Sequence, residues 1–279
     1  MKRFMDLPDE YSKNDSYFAV FPLSFEGNVT YGKGASKGAE EIIKASGHLE
    51  YYDEQFGNEA FEKGIFTFDA VEAENGKDMV SKIKKNFPSN NFVLSLGGDH
   101  SVTMGCVRAL ERRKKDFSVI ILDAHADFFD SWNNSQYNHR CVAKNIAGKH
   151  KVLSIGVRSM DVDEAELIKE NENMNIIKAY EFSFEKLKQG LDNLGENVYI
   201  SIDADVFDIS FIKNTGTPEP GGFLWDKVIG ILKTIFEDKN VISADIVEFA
   251  PVENFRAEAF SLAKLGYKVM SMKKAYAKK

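Results

Sequence analysis

Apolar residues in this chain fall into short blocks separated by stretches of helical periodicity. The blocks at 17–21, 92–96, 118–122, 152–156, 175–178, 198–202 and 241–247 lack the polar alternation of a half-solvated strand, so they predict strands buried on both faces. Between them, apolar positions recur at helix spacing over 39–46, 77–86, 101–113, 163–171, 184–191, 226–237 and 257–275. Strands that alternate with helices in this way predict a mostly parallel sheet with helices over both faces. No internal repeat, low-complexity tract or Pro/Ser-rich linker interrupts the pattern, so residues 1–279 are expected to form a single α/β domain.

Against this scaffold the polar residues are unevenly placed. Three predicted strands run straight into clusters of Asp and His: Gly97-Gly98-Asp99-His100-Ser101, Asp123-Ala124-His125-Ala126-Asp127, and Asp203-Ala204-Asp205. All three lie at the C-terminal ends of their strands, the edge where open α/β sheets place ligand sites. Alternate residues of a strand share a face and sit roughly 6.6 Å apart, so each cluster can turn several side chains toward one centre. Asp123, Asp127, Asp203 and Asp205 brought together cannot all stay ionised without compensation. Two divalent cations would supply the four balancing charges. The set is rich in oxygen, adds the imidazoles of His100 and His125, and contains no thiolate, which suits manganese and also iron, cobalt or zinc. Two such ions about 3.5–4 Å apart would lower the pKa of a shared water and hold it as hydroxide. Taken singly, each cluster has a plainer reading: Asp123 and Asp203-Ala204-Asp205 as turn or cap formers, His100 as a structural histidine. Three clusters at equivalent strand ends make the metal reading the better one. Neither a Gly-X-Gly-X-X-Gly loop nor a lysine-bearing phosphate loop is present.

Composition narrows the partners. A formal net charge of -7 and a pI near 5.4 argue against a nucleic-acid protein that works by phosphate neutralisation. The densest basic run, Arg112-Arg113-Lys114-Lys115, lies at a predicted helix end, where cations complement the dipole. No segment approaches the roughly 18 consecutive apolar residues of a membrane span. The start of the chain lacks the apolar core of a secretory signal, and two cysteines, Cys106 and Cys141, do not make a disulfide framework. The expected compartment is the cytoplasm.

The ordered motifs resemble the arginase–agmatinase (ureohydrolase) family over most of the chain. The likeness begins with the glycine-rich segment Val29-Thr30-Tyr31-Gly32-Lys33-Gly34 and passes through the three Asp/His clusters. It ends with Thr215-Gly216-Thr217-Pro218-Glu219-Pro220-Gly221-Gly222 and Asp245-Ile246-Val247-Glu248. The Pro218-Glu219-Pro220 stretch is closest to the agmatinases. The resemblance implies a three-layer α/β/α fold, two Mn2+ per chain and assembly as homo-trimers or hexamers. It implies that Asp123 and Asp203 bridge both metals, that His100 and Asp127 complete one shell, and that His125 and Asp205 complete the other. Glu248 would grip the guanidinium of a small-molecule substrate, and His139 would contact substrate or shuttle protons, a task suited to an ordinary pKa near 6.5. On this reading the bridging hydroxide, oriented by Asp127, attacks the guanidinium carbon, Asp127 protonates the departing amine, and urea is released. Glu219 would support its loop through hydrogen bonds. The sequence departs from the family at Arg140, Ile209, Asn214 and Ala250. Arg140 bears most on function, because a cation beside the pocket would repel a cationic tail or attract an acidic one. Two other readings stand beside this one: a formimidoylglutamase-like or amide hydrolase on the same scaffold, and a metal-binding regulatory protein without turnover.

Overall fold

The computed structural model describes residues 2–27, 29–114 and 116–277. Lys115 of the basic run, and Met1, Lys278 and Lys279 at the ends of the expected domain, lie outside the described residues. Among the described residues nine strands form one sheet: β1 (Phe18–Ser24), β2 (Ile65–Thr67), β3 (Val71–Glu72), β4 (Phe92–Leu96), β5 (Ser118–Leu122), β6 (Val152–Val157), β7 (Met174–Lys178), β8 (Asn197–Asp203) and β9 (Asn240–Val247). The α-helices are α1 (Gly38–Ser46), α2 (Gly76–Asn86), α3 (Val102–Leu110), α4 (Val142–Ala147), α5 (Val162–Lys169), α6 (Phe184–Asp192), α7 (Trp225–Asp238) and α8 (Ala257–Ala275). The strands run in the order β2-β1-β4-β9-β8-β5-β6-β7, with β3 also on β1. Every pairing between them is parallel.

Alternate strand residues feed different cores. Phe18 and Val20 of β1 and Ile120 and Leu122 of β5 belong to the apolar layer that holds Ile42 of α1, Leu187 of α6, Leu232 of α7 and Leu265 of α8. Their neighbours Ala19, Phe21, Val119 and Ile121 belong to the opposite layer, with Ile83 of α2, Val107 of α3 and Ile146 of α4. The period-two split explains why these strands read as unbroken apolar runs, and the result is the three-layer α/β/α architecture. Three elements escape the sequence pattern. β2 and β3 span three and two residues at the sheet edge and α4 spans six, too short for any periodicity to show. No helix among the described residues is long and apolar enough to cross a membrane.

The order of the central strands positions the site. β4 and β5 are close in sequence, yet β9 and β8 lie between them in the sheet. Four adjacent strands therefore carry the Gly97-Gly98, Glu248, Asp203 and Asp123 segments to a single stretch of the sheet's C-terminal edge.

Candidate metal centre

Each strand leaves the sheet through a turn that aims side chains over this edge. After β4, Gly97 and Gly98 take φ of 80° and 84°, and a Cβ on either would collide with Ala39 N at 2.5 Å or Val102 Cγ1 at 2.8 Å. Only glycine meets both demands, and the sharp exit drops His100 into the buried interior. After β5, Asp127 adopts φ 49°, and after β9, Glu248 adopts φ 62°. Left-handed backbone at non-glycine residues costs of order 1–3 kcal/mol and clusters at functional sites. Of the seven such residues among those described, these two are ones singled out by the sequence.

The aspartates divide their two oxygens between two tasks. Asp123 Oδ1 accepts from the His125 backbone N–H at 2.6 Å, and Asp203 Oδ1 accepts from that of Asp205 at 2.9 Å. Asp205 Oδ1 accepts from Ala124 N at 3.1 Å, tying the β8 loop to the β5 loop. The remaining oxygens face the centre. Asp123 Oδ2 lies 3.0 Å from His100 Nδ1, Asp203 Oδ2 3.4 Å from the same atom, and Asp205 Oδ2 3.0 Å from His125 Nδ1. The turn-forming role is thus taken by one oxygen of each residue, and the other is left facing the centre, where it could hold a metal. Two groups have ligand atoms within 4.8 Å of one another: His100 with Asp123 and Asp203, and His125 with Asp123 and Asp205. Asp123 is common to both. Asp127 joins the first group through a 3.0 Å contact between its Oδ2 and His100 Nδ1.

The charge balance of this cluster fits a site built for cations. Burial, with Asp205 and Asp123 close by, pushes the Asp203 carboxyl well above the usual carboxylate range. Burial and the charge of Asp123 lift Asp127 to about 7. For His125, burial opposes protonation but Asp205 and Asp123 overcome it and raise the imidazole to about 12. Asp123 resists the upward push of burial and is held below its ordinary range by His100 and His125. Protons are therefore the charge compensation these side chains take up by themselves, and divalent cations would serve in their place. Asp123 Oδ2 is buried and has no aligned donor among the described residues, as expected of an oxygen whose partner is a metal. A second layer orients the first: His100 Nε2 lies 3.1 Å from Ser201 Oγ, which donates to the buried Asp245 at 2.6 Å.

A cavity of about 260 Å³ opens over the centre. Its lining includes His125, Asp127, Asp203 and Asp205 together with Glu248, His139, Thr30 and Glu219. Glu248 is buried, and its Oε1 accepts from His100 N at 2.7 Å. Burial first, then the nearby Asp99, raises its carboxyl well above the ordinary value. His139 Nε2 lies 3.3 Å from Thr30 Oγ1, and its Nδ1 has no partner among the described residues. Burial, reinforced by the positive charges of His100, His125 and Arg140, lowers His139 to about 4. On the rim, Arg140 donates to Asp161 Oδ2 at 2.7 Å and lies 3.9 Å from Glu164. The cation that the sequence places beside the pocket is thus already paired, and the carboxylates around it leave the wall no net positive charge.

Residues 16–272 match the arginase family. The chain is 33% identical to the N(1)-aminopropylagmatine ureohydrolase of Synechocystis sp. over 96% of its length and 93% of that protein. It is 32% identical to the agmatinase of Pyrococcus horikoshii, covering 96% of this chain and 95% of that one. The chain belongs to the arginase family. The crystal structure of agmatine ureohydrolase of Thermoplasma volcanium matches it with a TM-score of 0.88 at 27% identity, covering 99% of this chain and 96% of that one. As an arginase-family ureohydrolase the protein is a hydrolase of C–N bonds, as the ordered motifs led the sequence reading to expect.

All six residues that the family resemblance names as ligands meet at one centre, and Glu248 and His139 line the cavity above them. Asp203 belongs to the first group and is absent from the second. Glu219 differs from the expectation. Its loop is held by Arg158, which donates to the backbone carbonyls of Glu219, Pro220 and Asp205, whereas the Glu219 side chain points back to within 3.8 Å of His125 Nε2. The sequence reading gave no role to Ser201, Asp245, Arg158 or Thr30. Ser201 and Asp245 look like ordinary strand residues until the pairing of β8 with β9 brings them side by side.

The lowered pKa changes what His139 can do. Burial and the neighbouring positive charges favour its neutral form, so it is expected not to titrate between pH 6 and 9. His139→Ala should lower turnover, by about a hundredfold or more if it transfers a proton in the transition state, leave metal content unchanged, and do so by the same factor from pH 6 to 9. A mutant-to-wild-type ratio that bends within that range would show that His139 titrates there.

Proposed function

We propose that this chain hydrolyses a guanidino compound with a cationic tail, agmatine or a relative of it, to urea and an amine. The observation that carries the reading is the pair of ligand groups sharing Asp123 at the floor of a cavity whose walls bear Glu248, Glu219, Asp161 and Glu164. We assign His100 and Asp127 to one divalent cation, His125 and Asp205 to a second, and Asp123 and Asp203 to both. The oxygen-rich set makes Mn2+ the first choice. When bound, such a pair supplies Lewis acidity and brings the pKa of a water toward neutrality.

The remaining work falls to the protein. Glu248 accepts two N–H groups of the planar guanidinium and holds its carbon in line for attack. Asp127 orients the attacking water and takes its proton. As the bond from carbon to the tail nitrogen breaks, Asp127 returns that proton to the departing amine. His139, buried beside Thr30, relays the second proton of the water to the departing amine, which leaves as an ammonium. An acidic-tailed formimino substrate would need a free Arg140. The pairing of Arg140 with Asp161 favours the cationic tail instead.

The proposal includes a single domain, a trimeric or hexameric assembly and a cytoplasmic location. The unpaired, buried Cys106 and Cys141 support a reducing compartment. The test is a urea-release screen on manganese-loaded protein over agmatine, N1-aminopropylagmatine, arginine and guanidinobutyrate, with formamide release from formimidoylglutamate read separately. Urea from the first two upholds the reading. Formamide alone would overturn the guanidino assignment, and tight metal binding with no product from any compound would make the chain a binding protein.

A further inference from the structure

Arg140 occupies an unusual setting for a residue on a substrate cavity. Its guanidinium carbon lies 3.9 Å from the centre of the Trp132 ring and 4.6 Å from that of Phe129, while its Nη2 reaches Asp161 at 2.7 Å and Glu164 at 3.9 Å. Two aromatic faces and two carboxylates around one cation are the elements of a cation-recognition site. The walls do not depend on the Arg140 side chain: Phe129 N donates to the Arg140 backbone carbonyl at 3.1 Å, a bond that a substitution at Arg140 keeps. A tight turn with reciprocal backbone bonds between Trp132 and Ser135 holds one wall, with Asn133 and Asn134 in left-handed conformation. The other wall is fixed by Glu164, which accepts from Phe128 N at 2.8 Å and Asp161 N at 2.9 Å.

The charged side of the box is also part of the active cavity. Arg140, Asp161 and Glu164 line the same space as His125 and Glu248, and Ser159 forms a bridge with His125 that brings the 159–161 segment alongside the centre. A substrate tail leaving the Glu248 end of the cavity passes a wall whose cation site is already filled by the protein's own guanidinium.

Resting on the guanidino reading above, we propose that Arg140 is a specificity-determining residue: it fills the cation subsite of the cavity wall, so the chain favours substrates with one short cationic tail over those with a further amine. The selection works by withholding a partner. An extra ammonium reaching this wall meets Asp161 already paired and Arg140 of like charge, with Glu164 the one carboxylate left to it, so it recovers less of the hydration it gives up.

Two variants and two readouts test this. Arg140→Ala opens the box, and Arg140→Met removes the charge but keeps an aliphatic stem against Trp132, so it stands in if the alanine variant does not fold. In the manganese-loaded protein, the ratio of kcat/KM for N1-aminopropylagmatine to that for agmatine should rise about tenfold or more in Arg140→Ala and less in Arg140→Met. Calorimetry with spermidine, which has no guanidinium to cleave, should show about tenfold tighter binding to Arg140→Ala, reversed when Asp161→Asn is added. An unchanged ratio together with unchanged spermidine affinity would overturn the assignment of Arg140, even as urea release by the wild type upholds the guanidino reading. Tighter spermidine binding with no urea from any variant would uphold the cation subsite and overturn the guanidino reading.

Discussion

Asp123→Ala is expected to lose both metals and reduce urea release to background. Asp123 is the residue common to both ligand groups, and it does more than supply donors. Its Oδ1 fixes the backbone of His125 at 2.6 Å while its Oδ2 faces His100. Truncation removes a shared anion, frees the loop that aims His125, and leaves the two imidazoles without the charge that holds them. Losing a supporting residue around a metal costs about 10–100-fold in affinity, and a shared ligand should cost more than that at each position. Asp205→Ala is the contrasting case, since Asp205 belongs only to the His125 group. It should deplete one position and leave the other largely filled. Metal analysis after dialysis, paired with a urea assay, separates the two variants. Two-metal occupancy in both would sink the bridging assignment.

The parts of the molecule legible in the sequence were those whose signal is local. β4, β5, β6, β8 and β9 are buried on both faces, so their apolar runs announced themselves, and the Asp/His clusters followed them directly. β2, β3 and α4 were not legible, because a few residues at an edge or in a loop carry no period. Within the site, the residues that bear ligands stood out, whereas those that hold them in place did not. Ser201 and Asp245 join His100 only through the register of β8 on β9, a pairing across roughly forty residues of chain that pattern reading cannot supply. Arg140 was visible as a charge near the pocket. Its meaning depended on Asp161 and Glu164, which arrive from the start of α5 and pair it. Charges are written in the sequence, but their partners are set by topology.

Glu248→Gln should retain both metals and lose most activity. The substitution is nearly isosteric, and the amide oxygen can still accept from His100 N, the 2.7 Å bond that ties the β9 exit to the β4 exit. What changes is the end that faces the cavity. An amide cannot present two acceptor oxygens to a guanidinium, and its NH2 group sets donors against donors. Removing one partner of a buried, hydrogen-bonded charge pair costs about 2–5 kcal/mol, which corresponds to a fall in kcat/KM of roughly thirtyfold to several thousandfold. The division of that loss is informative. Glu248 sits at φ 62° against the Gly216 segment, where a Cβ on Gly216 would come within 3.0 Å of Oε2. The carboxylate is therefore fixed before substrate arrives. A rigid acceptor that aligns the carbon for attack should cost kcat as well as KM when removed, whereas a mere anchor would raise KM alone. Near-normal kinetics in a variant that still binds two metals would take Glu248 out of the substrate site. A loss confined to KM would leave it there as an anchor and transfer the alignment of the guanidinium carbon to Asp127 and His139.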